Sequence, residues 1–450
     1  MTSLRSSLPG GAASPTSGKE LDKMRNYLVS GISRELAGAP PQSDEALEET
    51  LKQLFQKGLA QIKVPLTHSV QMHLYQQVKD EVLGLGPMQI LLNDPDVNEV
   101  MVNGPKSVYV EKKGKLVKTN VTFRDNDHVV TIIDRIISPL GRHINAENPT
   151  VDARLMDGSR VNAVIPPVAI DGASITIRKF SKEKLGIDDL IGFGSVSPQM
   201  AEFMQACVGA RLNIVISGGT GSGKTTLLNI TSSFIPHDER IVTIEDAAEL
   251  QLQQDHVVRL ETKPPNVEGK GHVSIRDLVK NSLRMRPDRV VIGEVRGGEA
   301  LDMLQAMNTG HDGSLTTLHA NTPRDALSRL ETMSLMSGID MPLKVIREQI
   351  ASAVDLIIQQ SRLRDGSRKV TQITEVLGME GETIVMTDLF KFEQTSISEQ
   401  GKVIGEHRPT GMRPMFGSRL EAAGFKLGAD IFSTGLAAQP RVSRGSRRRR

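Results

Sequence analysis

Tryptophan is absent from the 450 residues, tyrosine occurs three times and phenylalanine eleven times. So few rings leave little with which to stack bases or sugars, which weakens any case for a nucleic-acid or carbohydrate platform. The single cysteine, Cys207, excludes an intrachain disulfide and any zinc site built on several thiolates. Such usage fits a reducing cytoplasm. No apolar run approaches the roughly 18 residues of a membrane span, and MTSLRSSLPGGAASPTSGKE has no signal-peptide apolar stretch. Net charge is nearly lacking too. Against 55 Lys and Arg stand 53 Asp and Glu, a formal +2, where a dedicated nucleic-acid binder needs a clear basic excess. The charge is unevenly placed, however. Residues 441–450 hold six arginines and no acid, so subtracting those six from +2 leaves −4 on the other 440 residues. A cytoplasmic enzyme of two to four domains is expected, at about 100–200 residues per domain.

What is present begins with a Ser/Gly/Pro/Thr-rich segment, residues 1–18, expected to be disordered. Leu47, Leu51, Leu54, Phe55, Leu59 and Ile62 then recur at helical spacing, and Val70, Leu74 and Val78 mark another helix. A helical bundle over 19–86 follows, because one amphipathic helix cannot bury its stripe alone. Residues 87–182 read as a small α+β domain: the meander NEVMVNGPKSVYVEKKGKLV, a helix near 126–137, then VDARL, SRVNAVI and SITIRKF. Residues 183–196 read as a linker. From 197 to 425, helices alternate with the apolar runs NIVIS, RIVTIE, HVVRLE, RVVIGE, SLTTLH and VDLIIQQ, which predicts an α/β domain with a mostly parallel sheet. A hairpin is expected at Asp365-Gly366, then a looser segment, then a flexible basic tail over 426–450. That tail is expected to be solvated, with attraction to anionic lipid as the alternative.

Residues 218–225, GGTGSGKT, fit the phosphate-loop pattern G-x-x-x-x-G-K-[ST], entered by a strand and left by a helix. Glycines let the backbone curl until its N–H groups converge on phosphate oxygens, at the positive end of the following helix. The expected nucleotide-binding stretch is Gly219, Thr220, Gly221, Ser222, Gly223, Lys224, Thr225 and Thr226. Lys224 would bridge the β- and γ-phosphates, and Thr225 would ligate Mg²⁺. A second acidic strand end is also needed. Glu294 ends RVVIGE without the usual preceding Asp, since Gly293 stands there, and Glu245, Asp246 and Glu249 follow RIVTI. A carboxylate at a strand end can equally cap a helix or face solvent. His319 could bond a γ-phosphate or serve structure alone. Thr322-Pro323 reads as a helix cap followed by proline at the first helical position. Arg154, Arg160 and Arg178 could act in trans on a nucleotide, or be ordinary surface charge.

With GGTGSGKTT, TIEDAAEL, RMRPDRVVIGEVRG and TGHDGSLTTLHANTP in this order, the chain resembles the type II/type IV secretion ATPase superfamily. Within it, VNEVMVNGP, DARLMDGSRVNAVIPP, SITIRKF, GMEGETIVMTDLFKF and RPTGMRP resemble the TadA/CpaF-like motors of tight-adherence (Flp, type IVc) pili. The resemblance covers about residues 85–425. It implies a RecA-like P-loop motor domain and a homohexamer with ATP and Mg²⁺ held between domains. It also implies a peripheral position at the cytoplasmic face of the inner membrane, where pilus platform proteins would be the partners, with no nucleic acid and no zinc. Glu294 is then the water-polarising glutamate, Glu245 the acid near the metal, and His319 with His311 the histidine box. Arg154, Arg160 and Arg178 become phosphate-contacting arginines. The implied function is ATP-driven pilus assembly. The alternatives are a type IV secretion motor for DNA or effector export and a nucleotide-binding scaffold that does not hydrolyse. A GTP switch is disfavoured, because Thr262-Lys263-Pro264-Pro265 lacks the Asp of [NT]-K-x-D.

Overall fold

The computed structural model describes residues 18–38, 43–62, 64–112, 114–180, 185–265 and 269–434. The expectations for residues 1–17 and for the arginine tail lie outside these. No described helix is long and apolar enough to cross a membrane. The chain divides into two compact units, Met1–Ser181 and Lys182–Arg450.

The first unit opens with three helices, α1 (Gly18–Gly38), α2 (Asp44–Ile62) and α3 (His68–Val82). Their apolar stripes meet: Met24, Leu28 and Ile32 pack with Leu51, Phe55, Leu74 and Val78. A short helix, α4 (Gln89–Asn93), leads into the strands β1 (Val97–Asn103), β2 (Val108–Lys112) and β3 (Lys115–Lys118). Helix α5 (Asn126–Ile137) and strands β4 (Thr150–Arg154), β5 (Arg160–Val164) and β6 (Ser174–Arg178) follow. The six strands form an antiparallel sheet ordered β3-β2-β1-β6-β5-β4. Alternate residues such as Val100, Val102, Val161, Ala163, Ile175 and Ile177 face Ile132, Ile133 and Ile136 of α5, as the period-2 pleat requires. The bundle and the sheet are tied together rather than parting near residue 86. Arg135 of α5 donates to the carbonyls of Glu81 and Gly84, both at 2.7 Å. His128 also meets Glu81 at 2.6 Å.

The second unit opens with α6 (Ile187–Gly192) and α7 (Pro198–Gly209). Strand β7 (Ile214–Gly218), helix α8 (Lys224–Ser232), β8 (Ile241–Glu245), β9 (Val257–Glu261), α9 (Ile275–Ser282) and β10 (Arg289–Ile292) come next. After them lie α10 (Glu299–Asn308), β11 (Leu315–Leu318), α11 (Pro323–Leu335), α12 (Leu343–Ala353) and β12 (Leu356–Arg362). The unit closes with β13 (Arg368–Glu380), β14 (Thr383–Ile397), β15 (Val403–Pro409) and α13 (Gly417–Ala422). One nine-stranded sheet results, ordered β15-β14-β13-β12-β7-β11-β10-β8-β9. From β12 to β9 every pairing is parallel. Each central strand supplies both faces: Ile214 and Ile216 join one apolar cluster with α7 and α8, while Val215 joins the other with α9 to α12. This is the mostly parallel α/β layer expected of a RecA-like motor unit.

Three local readings change. Within the expected linker, α6 buries Leu190 in the core beside Val196, because LGIDDLI carries an apolar face. The looser segment after 366 is antiparallel sheet, β13 to β15. Its irregular burial and register shifts hide the strand period. Ile431 and Phe432, inside the expected tail, return to the core, where Phe432 packs edge-on to Phe203 at 5.5 Å.

Candidate nucleotide site

Strand β7 runs into the glycine-rich loop and α8 leaves it. Gly218 lies in register with Gln360 of the neighbouring β12. A Cβ there would strike the Gln360 carbonyl and approach Ser222 Oγ to 2.6 Å, so only glycine fits. Gly221 and Gly223 hold φ of +68° and +96°, a conformation costly for any residue with a Cβ. The loop closes through Ser222 N donating to the Gly219 carbonyl at 3.3 Å. Lys224 Nζ folds back to donate to that same carbonyl at 3.1 Å. Helix α8 begins at Lys224 with no side-chain cap, so no capping side chain claims its first N–H groups, and they add the helix's positive end to the loop.

The partner strands bring the expected acids to the same edge of the sheet. Strand β11 lies beside β7, then β10, then β8, all parallel, so their carboxyl ends form one row. Ligands in open α/β sheets bind outside such a row. Asn321 stands near Gly219, and half-buried His319 directly follows β11. Thr317 Oγ1 donates to the Gly293 carbonyl at 2.7 Å, while Val295 N donates to the Thr317 carbonyl at 2.9 Å. These bonds fix the backbone on both sides of Glu294. The Glu294 carboxylate accepts from Arg296 Nε at 2.9 Å, and Arg296 also reaches Asp246 at 3.4 Å.

Glu245 is 3% exposed at the end of β8. Its Oε1 accepts from the N–H groups of Glu249 and Leu250 at 2.8 and 3.0 Å. Its Oε2 is buried with no hydrogen-bond partner among the described residues, and burial pushes the carboxyl up from its ordinary value. A Cβ on Gly293 would come 2.9 Å from Glu245 Cγ. Glu245 therefore fills the space that an acid at 293 would need, which accounts for the missing Asp before Glu294. Among the described residues no group of three or more His, Cys, Asp and Glu could hold a metal ion. Mg²⁺ does not need one, since it takes one or two carboxylates together with substrate phosphates and waters. The unpartnered Glu245 oxygen and the Thr225 hydroxyl fit that requirement.

Not every expected residue joins this row. His311 precedes the amino end of β11, away from the loop, with Nδ1 buried and without a hydrogen-bond partner among the described residues. Arg154, Arg160 and Arg178 belong to the first unit, where they occupy one cross-strand rung: Arg160 pairs with Arg154 on one side and Arg178 on the other. Their neighbours Val161 and Ile177 point into the core, so the arginines share the opposite face. Glu99 of β1 continues the rung on the far side of Arg178. Sequence reasoning missed Arg296, Arg362 and Arg368. Arg368 Nε donates to the Gly221 carbonyl at 3.0 Å. Arg296 sits two residues after Glu294, a legible signal. The arginines flanking Asp365-Gly366 gave none, since nothing local says that β12 lies beside β7.

The model of the family described as "Type II/IV secretion system protein" matches residues 81–402. The chain belongs to this family. Conjugal transfer protein TrbB of Rhizobium radiobacter is 34% identical over 296 residues, 65% of this chain and 86% of that protein. Type IV secretion system protein VirB11 of Bartonella henselae is 33% identical over 331 residues, 64% of this chain and 91% of that protein. Among solved structures, the VirB11 ATPase of the Brucella suis type IV secretion system, in complex with sulphate, matches 64% of this chain and 94% of its own. Its identity is 29% and its TM-score 0.36. Membership in the type II/IV secretion family, together with an intact phosphate loop, supports an ATP-hydrolysing enzyme. These named relatives are conjugal-transfer and type IV secretion proteins, which agrees better with the export alternative than with the pilus reading, and a specific closeness to tight-adherence pilus motors is not shown.

Proposed function

We propose that this member of the type II/IV secretion family is a motor ATPase that powers DNA or effector export through a type IV secretion machine. The observation that carries the reading is the row formed by the phosphate loop, Glu294 and Glu245 at the carboxyl ends of neighbouring parallel strands. It stands in a chain about a third identical to TrbB and VirB11 proteins. Lys224 leaves the Gly219 carbonyl to bridge the β- and γ-phosphates, while the loop N–H groups hold the β-phosphate. Glu294 leaves Arg296 to orient and polarise the attacking water. Thr225 and Glu245 would hold Mg²⁺, whose charge offsets that of the phosphates. His319 reports on the γ-phosphate. The arginine rung offers guanidinium groups that suit phosphate oxygens, acting in trans within a homohexamer seated peripherally at the cytoplasmic face of the inner membrane.

A second reading, assembly of a tight-adherence pilus through an inner-membrane platform, is favoured by GMEGETIVMTDLFKF, which spans the end of β13, the turn and most of β14, and by RPTGMRP after it. Deleting the gene in its native host separates the two. Export predicts loss of DNA or protein transfer with surface pili intact. Loss of pili with transfer intact would establish the second reading instead.

A further inference from the structure

The β12–β13 hairpin stands over the phosphate loop on the side away from the carboxylates. Residues Leu356–Gln360 of β12 pair in parallel with Ile214–Gly218 of β7, so the hairpin carries on past the point where β7 ends. Two further residues at about 3.3 Å each bring the chain level with the loop. There Arg362 and Arg368 form the last cross-strand pair before the turn. The turn itself is well fixed. Leu363 N donates to the Ser367 carbonyl at 2.8 Å. Asp365 accepts from Ser367 N at 3.0 Å and from Val403 N of β15 at 2.8 Å.

Both guanidinium groups lie against the loop. Arg368 donates to the Gly221 carbonyl, and its Cδ is 3.1 Å from where a Cβ on Gly223 would stand. Arg362 Nη1 is 3.5 Å from where a Cβ on Gly221 would stand. The loop's two left-handed glycines thus give the arginines their close approach as well as the backbone its curl. Two guanidinium forks beside a phosphate loop are suited to phosphate oxygens.

Strand order says which part of a nucleotide that anion is. Glu294 and Glu245 lie beyond β11, on the other side of β7 from β12. The γ-phosphate and the attacking water must lie toward those carboxylates. A nucleotide whose β-phosphate sits in the loop therefore runs its nucleoside end toward the hairpin. We propose that Arg362 and Arg368 form the subsite for the α-phosphate of the bound nucleotide, with Arg368 also fixing the Gly221 peptide that the loop presents. The proposal rests on the loop being the nucleotide site.

Binding of ATP and of ADP to the full chain, measured by calorimetry, tests it together with steady-state kinetics. ADP keeps the α-phosphate and lacks the γ-phosphate, so Arg362→Ala and Arg368→Ala should each weaken ATP and ADP by a common factor. About tenfold is expected for loss of one charge-assisted contact. KM should rise by a similar factor and kcat fall by less, as for an interaction present in ground and transition states alike. Arg368→Lys should recover part of the affinity, because it keeps the charge and loses the fork. Unchanged ADP binding, or a loss confined to kcat, would overturn the assignment. Should Arg368→Ala unfold, Arg362→Ala carries the test. Failure of the underlying reading looks different: wild-type protein and Lys224→Ala would bind ATP equally well.

Discussion

At the scale of single residues, the site is organised by exclusions. Gly293 is small because Glu245 occupies its side-chain space, and Gly218 is small because β12 passes too close. Glu245 is the residue with the clearest solution signature. Burial raises its carboxyl pKa, so its contribution to stability is fully present below the unfolded value near 4 and is lost as pH rises through the folded value. Glu245→Gln does not titrate there. Its melting temperature relative to wild type should therefore become more favourable between about pH 4 and pH 7. A difference in melting temperature that stays constant with pH would contradict the burial argument. Glu245 was legible as a strand-end acid in TIEDAAEL. Its relation to Gly293 was not, since it depends on β8 lying beside β10, residues apart by about fifty positions.

Elements show where a sequence speaks plainly and where it does not. Strands β7, β8, β10 and β11 are buried at every residue and were readable as apolar runs. Strands β13 to β15 carry KFEQTSISEQGK-like polarity and bulges, so neither the period of a half-buried strand nor a buried run marks them. That loss matters, because the hairpin at their start brings Arg362 and Arg368 to the loop. In the first unit, SRVNAVI and SITIRKF were recognisable as strands, yet only their register reveals that Arg154, Arg160 and Arg178 share a rung. Arg160→Ala should lower turnover by about a thousandfold if the rung supplies a finger, with ATP binding retained. Normal turnover in that variant would return the rung to ordinary surface charge.

For the molecule as a whole, net charge is a poor guide and placement a good one. In a near-neutral chain, the cations assigned a role by the proposed mechanism lie at Lys224, at the hairpin and on one rung of a separate sheet. If the arginines of that rung act in trans, as proposed, hydrolysis should rise with assembly. The central claim is that the phosphate loop and Glu294 hydrolyse ATP. Steady-state phosphate release by the full chain, followed across concentrations that span its oligomeric states, measures it most directly. The account predicts Mg²⁺-dependent turnover that increases per chain on assembly and disappears in Glu294→Gln while ATP binding persists. Turnover in Glu294→Gln equal to that of wild type would contradict it.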